Sequence, residues 1–182
     1  QACIGDYWEE VDRFIRNTFV NLQVIDSSWI RKQECGMEKN LEAGAYQPED
    51  AADRCVGIWR DNLDRWDWAQ GCCNGNCSRM LYYIWDNILT DSDNELKVNL
   101  LLNRASPLAD IDSWLPYEGR VSIHMKVDRD DLQIRLPQWA DRGQLTCAVN
   151  DSARKGKWSG DYLRVGGVKS GDCVDLHFPI EQ

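Results

Sequence analysis

The sequence lacks the features by which nucleic-acid-binding and membrane-spanning proteins are recognised. Its 182 residues carry a formal net charge of −9, and its 21 Lys and Arg residues are scattered among 30 Asp and Glu residues rather than clustered. Because nucleic-acid binders neutralise phosphates with clustered cations, we expect no nucleic-acid partner. No apolar run approaches the length of a membrane span, so we expect a soluble chain with no membrane partner.

Histidine is scarce, which limits the catalytic and metal sites that the chain could build. The two histidines, His124 and His177, occupy polar phases of two predicted strands, with no serine nucleophile motif or metal-ligand spacing beside them. We interpret both as surface residues. Gly166-Gly167 is interpreted as a turn rather than a phosphate cradle, because no helix follows it.

Cysteine, by contrast, is abundant. Irregular spacing, in a chain long enough to build a core, favours reduced thiols over a disulfide framework and slightly favours a cytoplasmic location over secretion. A disulfide-stabilised extracellular domain is the alternative, and a disulfide between Cys147 and Cys173 on neighbouring strands is a further option. The eight cysteines are at positions 3, 35, 55, 72, 73, 77, 147 and 173.

The hydrophobic period is helical before about residue 90. It predicts two amphipathic helices, the first opened by a capping box of Asp6 and Glu9 and the second preceded by Asn74-Gly75-Asn76. Between them we expect a shorter helix around residues 28–41 and a loop with one or two helical turns over residues 45–70. The apolar positions are Trp8, Val11, Ile15, Phe19 and Leu22 in the first helix, and Cys77, Met80, Leu81, Ile84, Trp85 and Ile88 in the second.

After residue 94 the period becomes two, which predicts short strands. Strands that are separated by turns, with no helix between them, are typical of an antiparallel sandwich. We therefore expect an α+β chain, with a helical segment over residues 1–92 and a β-sandwich domain over residues 93–182. The strands are predicted around residues 96–102, 121–127, 132–136, 145–149, 162–165 and 174–178.

The most specific motif is the run Gly71-Cys72-Cys73-Asn74-Gly75-Asn76-Cys77, where a tryptophan-rich segment enters the second predicted helix. Adjacent cysteines are too close in sequence for an ordinary unstrained disulfide. Metal ligation, redox chemistry, nucleophilic catalysis and simple burial all remain open. A thiolate is favoured at a helix N-terminus or beside a metal, and zinc favours such sulfur ligands.

This motif, the helix after it, the run Leu96–Asn103 and the β-rich tail resemble glycoside hydrolase family 127. The first predicted helix, in Gly5–Arg13, also resembles a helix of the (α/α) toroid in relatives of that family. Characterised members are β-L-arabinofuranosidases, built as an (α/α) toroid followed by β-sandwich domains. The resemblance implies a retaining glycosidase acting on a carbohydrate substrate, in which Cys72 is both nucleophile and zinc ligand and Cys73 is a second zinc ligand. Residues 1–92 would be the end of the toroid.

The chain departs from the family at its start. In the family a Glu-x-Cys segment upstream of the toroid helix supplies the remaining zinc ligands, and the acid/base glutamate lies further upstream. Here Gln1-Ala2-Cys3 has Gln in place of Glu; Cys3 is the expected third ligand, or else a loop residue. We expect a C-terminal fragment with little or no activity alone, partnered by the missing N-terminal part of the same protein. The alternative is a non-catalytic carbohydrate-binding or interaction module.

The remaining candidate residues have simpler interpretations. Glu34, Glu38 and Glu42 share a helical face and are expected to be solvated rather than catalytic. Asp67, between Trp66 and Trp68, could line a sugar-binding surface, but packing of both tryptophans in a core is favoured. We interpret the other single cysteines of the helical segment as buried thiols; they are Cys35, Cys55 and Cys77.

Overall fold

The computed structural model describes residues 6–28, 51–59, 72–92 and 94–180. They fall into two compact units: residues up to Asp12 together with those from Tyr83 onward form one, and Arg13 to Tyr82 the other. The first is called the sandwich unit below and the second the helical unit. In the described parts of the chain, no helix is long and apolar enough to cross a membrane. The domain boundary predicted after residue 92 stays a prediction.

The first predicted helix is present. Helix α1 covers Trp8–Phe14 and continues into a π-helical segment, Ile15–Phe19. Asp6 caps its start, because its Oδ1 accepts a hydrogen bond of 3.0 Å from the backbone N–H of Trp8. Glu9, the expected second half of a capping box, instead binds residues of the sandwich unit through Oε2.

The helical unit has a small apolar core. Phe19, Trp59 and Cys77 are buried together, with Leu22 and Met80 packed against them. The indole N–H of Trp59 donates to the carbonyl of Phe19 at 3.2 Å, so this buried tryptophan has a partner for its polar atom. A four-residue helix, α2, covers Ala51–Arg54. The helix predicted around residues 28–41 and most of the loop predicted over 45–70 lie outside the described residues.

Helix α3 covers Cys72–Asp86 and begins earlier than the sequence predicts. Asn74, Gly75 and Asn76, which were expected to precede the helix, lie inside it. Side-chain bonds one turn apart stabilise this start, since Ser78 Oγ donates to the carbonyl of Asn74 at 2.7 Å and Arg79 Nη2 donates to Asn76 Oδ1 at 3.2 Å. The double cysteine therefore belongs to the first turn of the helix.

The sandwich unit contains two five-stranded sheets. The first sheet, in spatial order, consists of β1 (Leu89–Ser92), β2 (Glu95–Val98), β5 (Arg129–Arg135), β9 (Tyr162–Val168) and β8 (Lys157–Ser159). The second sheet consists of β3 (Ala109–Ser113), β4 (Arg120–Met125), β10 (Cys173–His177), β6 (Thr146–Val149) and β7 (Ser152–Ala153).

The predicted α+β class with a β-sandwich is confirmed, with one departure from antiparallel pairing. Strands β2 and β5 are parallel, with Leu96 opposite Leu132, whereas the other paired strands are antiparallel. Between β2 and β5 the chain crosses to the second sheet to form β3 and β4, so no hairpin joins the two parallel strands. The strand predicted over residues 96–102 ends at Val98.

The core of the sandwich unit comes from the apolar phase of the strands. In β4, Val121, Ile123 and Met125 are buried while His124 is exposed, and in β10 Val174 and Leu176 are buried between more accessible residues. Each fully buried aliphatic side chain contributes about 1.5–3 kcal/mol relative to an exposed one. This alternation is what the sequence predicted for the two strands.

Candidate functional site

Cys72, the predicted nucleophile, is the first residue of helix α3, and its thiol is free and exposed. The first backbone N–H groups of a helix have no partner within it and carry partial positive charge. An exposed thiol at this position can be reached by a substrate. Accessibility is one of the properties that a cysteine nucleophile requires.

Of the predicted zinc ligands, the structure describes the side chain of Cys72 alone. Cys73 is the second residue of α3, and the position of its thiol lies outside the described structure, as does Cys3. Within residues 6–28, 51–59, 72–92 and 94–180, no group of three or more His, Cys, Asp or Glu side chains could hold a metal ion. Only one of the three predicted zinc ligands, the thiol of Cys72, therefore has a described position. The zinc site stays a prediction.

Cys77 has the opposite environment from Cys72. It is buried against Phe19 and Trp59, as the sequence predicted. Burial, with a further contribution from the nearby Cys72, raises the pKa of the Cys77 thiol. A buried thiol that resists ionisation is a poor nucleophile, which disfavours Cys77 in that role.

The two cysteines of the second sheet also have raised pKa values. Cys147 and Cys173 are free thiols, so the disulfide considered between them is not formed. Burial raises the pKa of Cys147 to about 11. Burial and the carboxylate of Asp175 raise the pKa of Cys173 to about 11. Cys55 is half-buried rather than fully buried as predicted.

A second candidate site, not anticipated from the sequence, is a groove on the outer face of the second sheet, which we call the β4–β10 groove. It has a volume of about 580 Å³. Its lining includes Trp114, Ser122, Asp175 and His177. Both histidines line it; they are exposed, as predicted, but they also lie in a concave surface. The polar phase of each strand was visible in the sequence, whereas the pairing of β4 with β10 was not.

Several fixed contacts organise the β4–β10 groove. The guanidinium of Arg120 lies 3.5 Å from the ring centroid of Trp114. Ser122 Oγ, on a side chain only 7% exposed, donates a hydrogen bond to Asp175 Oδ1. Nε2 of His124 lies 3.2 Å from Oδ2 of Asp112 on the neighbouring strand β3. The lining side chains are therefore held by one another.

The sandwich unit also contains a buried cluster of charged groups. Arg135 of β5 is 1% exposed, and its Nη1 donates to Oε2 of Glu9 at 2.8 Å while its Nε donates to the carbonyl of Asn99 at 2.7 Å. Asp12, also 1% exposed, lies 3.8 Å from Arg135 Nη2. Tyr162 donates to Asn99 Oδ1 at 2.9 Å, and burial, followed by the charge of Asp6, raises the pKa of Tyr162.

Comparison with known proteins supports the fold. No protein-family model and no curated protein matches the sequence. A solved structure named as a glycoside hydrolase matches with a TM-score of 0.59 and 17% identity, over 95% of this chain and 29% of that chain. At this identity the match shows a shared fold. This α+β chain therefore has the fold of part of a glycoside hydrolase.

Two further solved structures belong to glycoside hydrolase family 127. A β-arabinofuranosidase matches with a TM-score of 0.47 and 19% identity, over 61% of this chain and 22% of that one. A β-L-arabinofuranosidase from Geobacillus stearothermophilus T6 matches with a TM-score of 0.47 and 18% identity, over 72% and 22%. At these TM-scores the two matches do not establish a shared fold. The chain spans less than a third of the length of each of the three structures.

Proposed function

We propose that this chain is part of a retaining glycoside hydrolase that resembles the β-L-arabinofuranosidases, with Cys72 as its nucleophile. The fold shared with a glycoside hydrolase over 95% of the chain supports the class. The observation that carries the residue assignment is the free, exposed thiol of Cys72 at the first position of a 15-residue helix, directly followed by Cys73.

The contrast between the two described thiols of α3 favours Cys72. Cys77, one and a half turns further along, is buried and has a raised pKa. Cys72 is exposed and is the first residue of α3. A sulfur nucleophile must be both ionised and accessible.

The proposed reaction has two displacements at the anomeric carbon. The Cys72 thiolate forms a C–S bond while the glycosidic C–O bond breaks, and a carboxylic acid gives its proton to the leaving oxygen. Water then forms a new C–O bond as the C–S bond breaks, the electron pair returns to sulfur, and the carboxylate takes the proton from water. Two inversions retain the anomeric configuration.

The acid that this reaction needs is not assigned to any residue of the chain. Glu9 and Asp12 are buried carboxylates bound to Arg135, which suits them to structure rather than to proton transfer with a sugar. On the sequence resemblance, in which the acid/base glutamate lies upstream, we propose that the acid comes from outside residues 1–182 and that residues 1–182 alone do not turn over substrate. This is the reason for testing activity in the full gene product that contains this sequence.

Zinc held by Cys72, Cys73 and Cys3 is part of the proposal and depends on the sequence resemblance. When bound, zinc would keep its cysteine ligands deprotonated. Elemental analysis of the full gene product is expected to find about one zinc per chain, reduced by Cys72→Ser and by Cys73→Ser. Cys55→Ser, in the turn after α2, is the control and is expected to retain zinc. Unchanged zinc in Cys72→Ser would remove the metal from the proposal.

Activity is tested with para-nitrophenyl β-L-arabinofuranoside. The full gene product is expected to release para-nitrophenol, and Cys72→Ser to lower kcat/KM by about a thousandfold or more, since loss of a nucleophile removes the covalent route. Cys55→Ser is expected to keep the activity. Equal activity of Cys72→Ser and the unmodified protein would exclude the assignment.

A non-catalytic carbohydrate-binding module is the second candidate, and the β4–β10 groove is the observation that favours it. It predicts that the full gene product binds sugar but hydrolyses no arabinofuranoside, with or without Cys72. Measured turnover that depends on Cys72 would exclude it.

A further inference from the structure

The β4–β10 groove is one continuous face because of strand register. In β4 and β10, residues that lie directly opposite one another project to the same side of an antiparallel pair. The neighbouring positions, including Ile123 and Val174, are buried in the core on the opposite side. The outward-facing pairs are Arg120 with His177, Ser122 with Asp175, and His124 with Cys173.

The lining of the groove includes an aromatic ring, that of Trp114. Trp114 is half-buried, and the Arg120 guanidinium lies 3.5 Å from its ring centroid. A cation over the ring fixes both side chains and leaves the remaining ring surface as an apolar contact. A ligand that has C–H groups on one face and hydroxyls at its edge can use such a ring together with the polar lining.

The lining offers hydrogen-bonding groups at short spacing. The Ser122 hydroxyl donates to Asp175, whose carboxylate has further acceptor capacity, and Thr146 Oγ1 donates to the carbonyl of His177 at 3.4 Å. Acceptors and hydroxyls that alternate over a sheet surface match a ligand with several hydroxyl groups. The volume of about 580 Å³ lies within the range of small-molecule sites.

The charge of the lining argues against other ligand classes. Among the lining residues, the carboxylates of Asp151 and Asp175 accompany one guanidinium, that of Arg120, and two histidines, so an anion such as phosphate would meet two negative charges there. Within the described residues no group of three or more His, Cys, Asp or Glu side chains could hold a metal ion, which disfavours a divalent cation. We propose that the β4–β10 groove is a binding site for a neutral saccharide. The site uses none of the thiols of α3; only the choice of arabinose as a probe rests on the proposed function.

The test is an NMR titration of isotope-labelled residues 1–182 with two neutral pentoses, L-arabinose and D-xylose. Backbone amides of β4, β6 and β10 are expected to shift with a Kd of about 1 mM for at least one pentose, while those of the first sheet stay in place. Trp114→Ala is expected to raise Kd about tenfold. Trp158→Ala is the matched control, because Trp158 of β8 also has an arginine over its ring, Arg142 at 4.6 Å, but lies in the first sheet.

Asp175→Asn is a second variant, which preserves the shape of the side chain and serves as the test if Trp114→Ala does not fold. It is expected to weaken pentose binding several-fold. The proposal is overturned if neither pentose shifts the amides of β4, β6 and β10 at about one hundred times the expected Kd. It is also overturned if phosphate or D-galacturonate binds there more tightly than the pentoses, or if Asp175→Asn binds as the unmodified chain does. Cys72→Ser is expected to leave pentose binding to the groove unchanged. The proposal that Cys72 is the nucleophile and the proposal that the groove binds a saccharide can therefore fail separately.

Discussion

The guanidinium of Arg135 donates a 2.8 Å hydrogen bond to the carboxylate of Glu9, joining strand β5 to helix α1 in the interior of the sandwich unit. Arg135 is 1% exposed, and it lies between the apolar positions Ile134 and Leu136 in the sequence. The alternation of side chains along a strand would place Arg135 on the face opposite Ile134 and Leu136, where a solvent-facing side chain is expected. It is buried because Glu9, Asp12 and the Asn99 carbonyl meet it on that side of the strand.

The first prediction concerns this buried ion pair. Arg135→Met is expected to lower the free energy of unfolding by about 3–5 kcal/mol, because the buried carboxylates of Glu9 and Asp12 lose the cation that neutralises them. Urea unfolding at neutral pH measures the change. Arg164→Met is the control: Arg164 of β9 binds Asp131 at 2.8 Å but is exposed, so its loss is expected to cost under about 1 kcal/mol. Equal losses in the two variants would contradict this account of Arg135.

The second prediction concerns acid stability. Arg129 donates to Asp91 from Nε at 2.8 Å and from Nη2 at 2.6 Å, and this bonding lowers the pKa of Asp91 below its ordinary value of 3.8. A carboxyl with a lowered folded pKa stabilises the fold fully above its unfolded pKa, and the contribution is lost as pH falls through the folded pKa. The free energy of unfolding is therefore expected to fall below about pH 4 by more in the unmodified chain than in Asp91→Asn.

A double-mutant cycle isolates the same pair. Arg129→Met is expected to reduce this acid dependence of the unfolding free energy as Asp91→Asn does. The double variant is expected to show no further reduction, because both changes remove the same interaction. Urea unfolding between neutral pH and about pH 3 provides the comparison. Additive effects of the two changes would mean that other groups control the acid dependence.

The third prediction concerns thiol reactivity. In the native chain at neutral pH, iodoacetamide is expected to modify Cys72 at least about tenfold faster than Cys77, because Cys77 is 8% exposed and has a raised pKa. Cys147 is expected to react slowly for the same reason. Peptide mass spectrometry measures each rate, and denatured protein is the control in which the rates converge. Modification of Cys77 at the rate of Cys72 would contradict the buried environment.

The fourth prediction tests where helix α3 begins. Gly75 lies within α3, and a Cβ added there would meet no atom within 4 Å. Gly75→Ala is expected to raise the free energy of unfolding by about 0.5–1 kcal/mol, because alanine is favoured over glycine inside a helix. Gly119→Ala is the contrasting variant, since its Cβ would lie 1.8 Å from the Phe178 carbonyl oxygen, and it is expected to destabilise. No gain from Gly75→Ala would indicate a helix that begins after Asn76.

The sequence predicted those elements whose pattern is local. The period of α1 and the alternation of Val121, Ile123 and Met125 are read directly from neighbouring residues. Strand β3 was missed because Asp110 and Asp112 alternate with only two apolar residues, Ala109 and Ile111. The α3 boundary was wrong because glycine and asparagine usually mark turns, whereas here side-chain bonds of Ser78 and Arg79 stabilise the helix around them.

Features that depend on contacts between distant parts of the chain could not be predicted from the sequence. The parallel pairing of β2 with β5 follows from the path through the second sheet, and the burial of Arg135 follows from contacts with residues more than one hundred positions away. The β4–β10 groove requires the register that sets Ser122 opposite Asp175. For the double cysteine, the sequence motif predicts Cys72 as the nucleophile, which stays a prediction. The structure adds that Cys72 is exposed and lies at the start of α3.

The proposed covalent role of Cys72 is tested most directly by trapping the intermediate. The full gene product is mixed with an activated β-L-arabinofuranoside, quenched in acid during turnover, digested and examined by mass spectrometry. We predict one added pentosyl group on Cys72, present also in Cys55→Ser and absent in Cys72→Ser. A pentosyl group on a carboxylate, or turnover that persists in Cys72→Ser, would contradict the proposal.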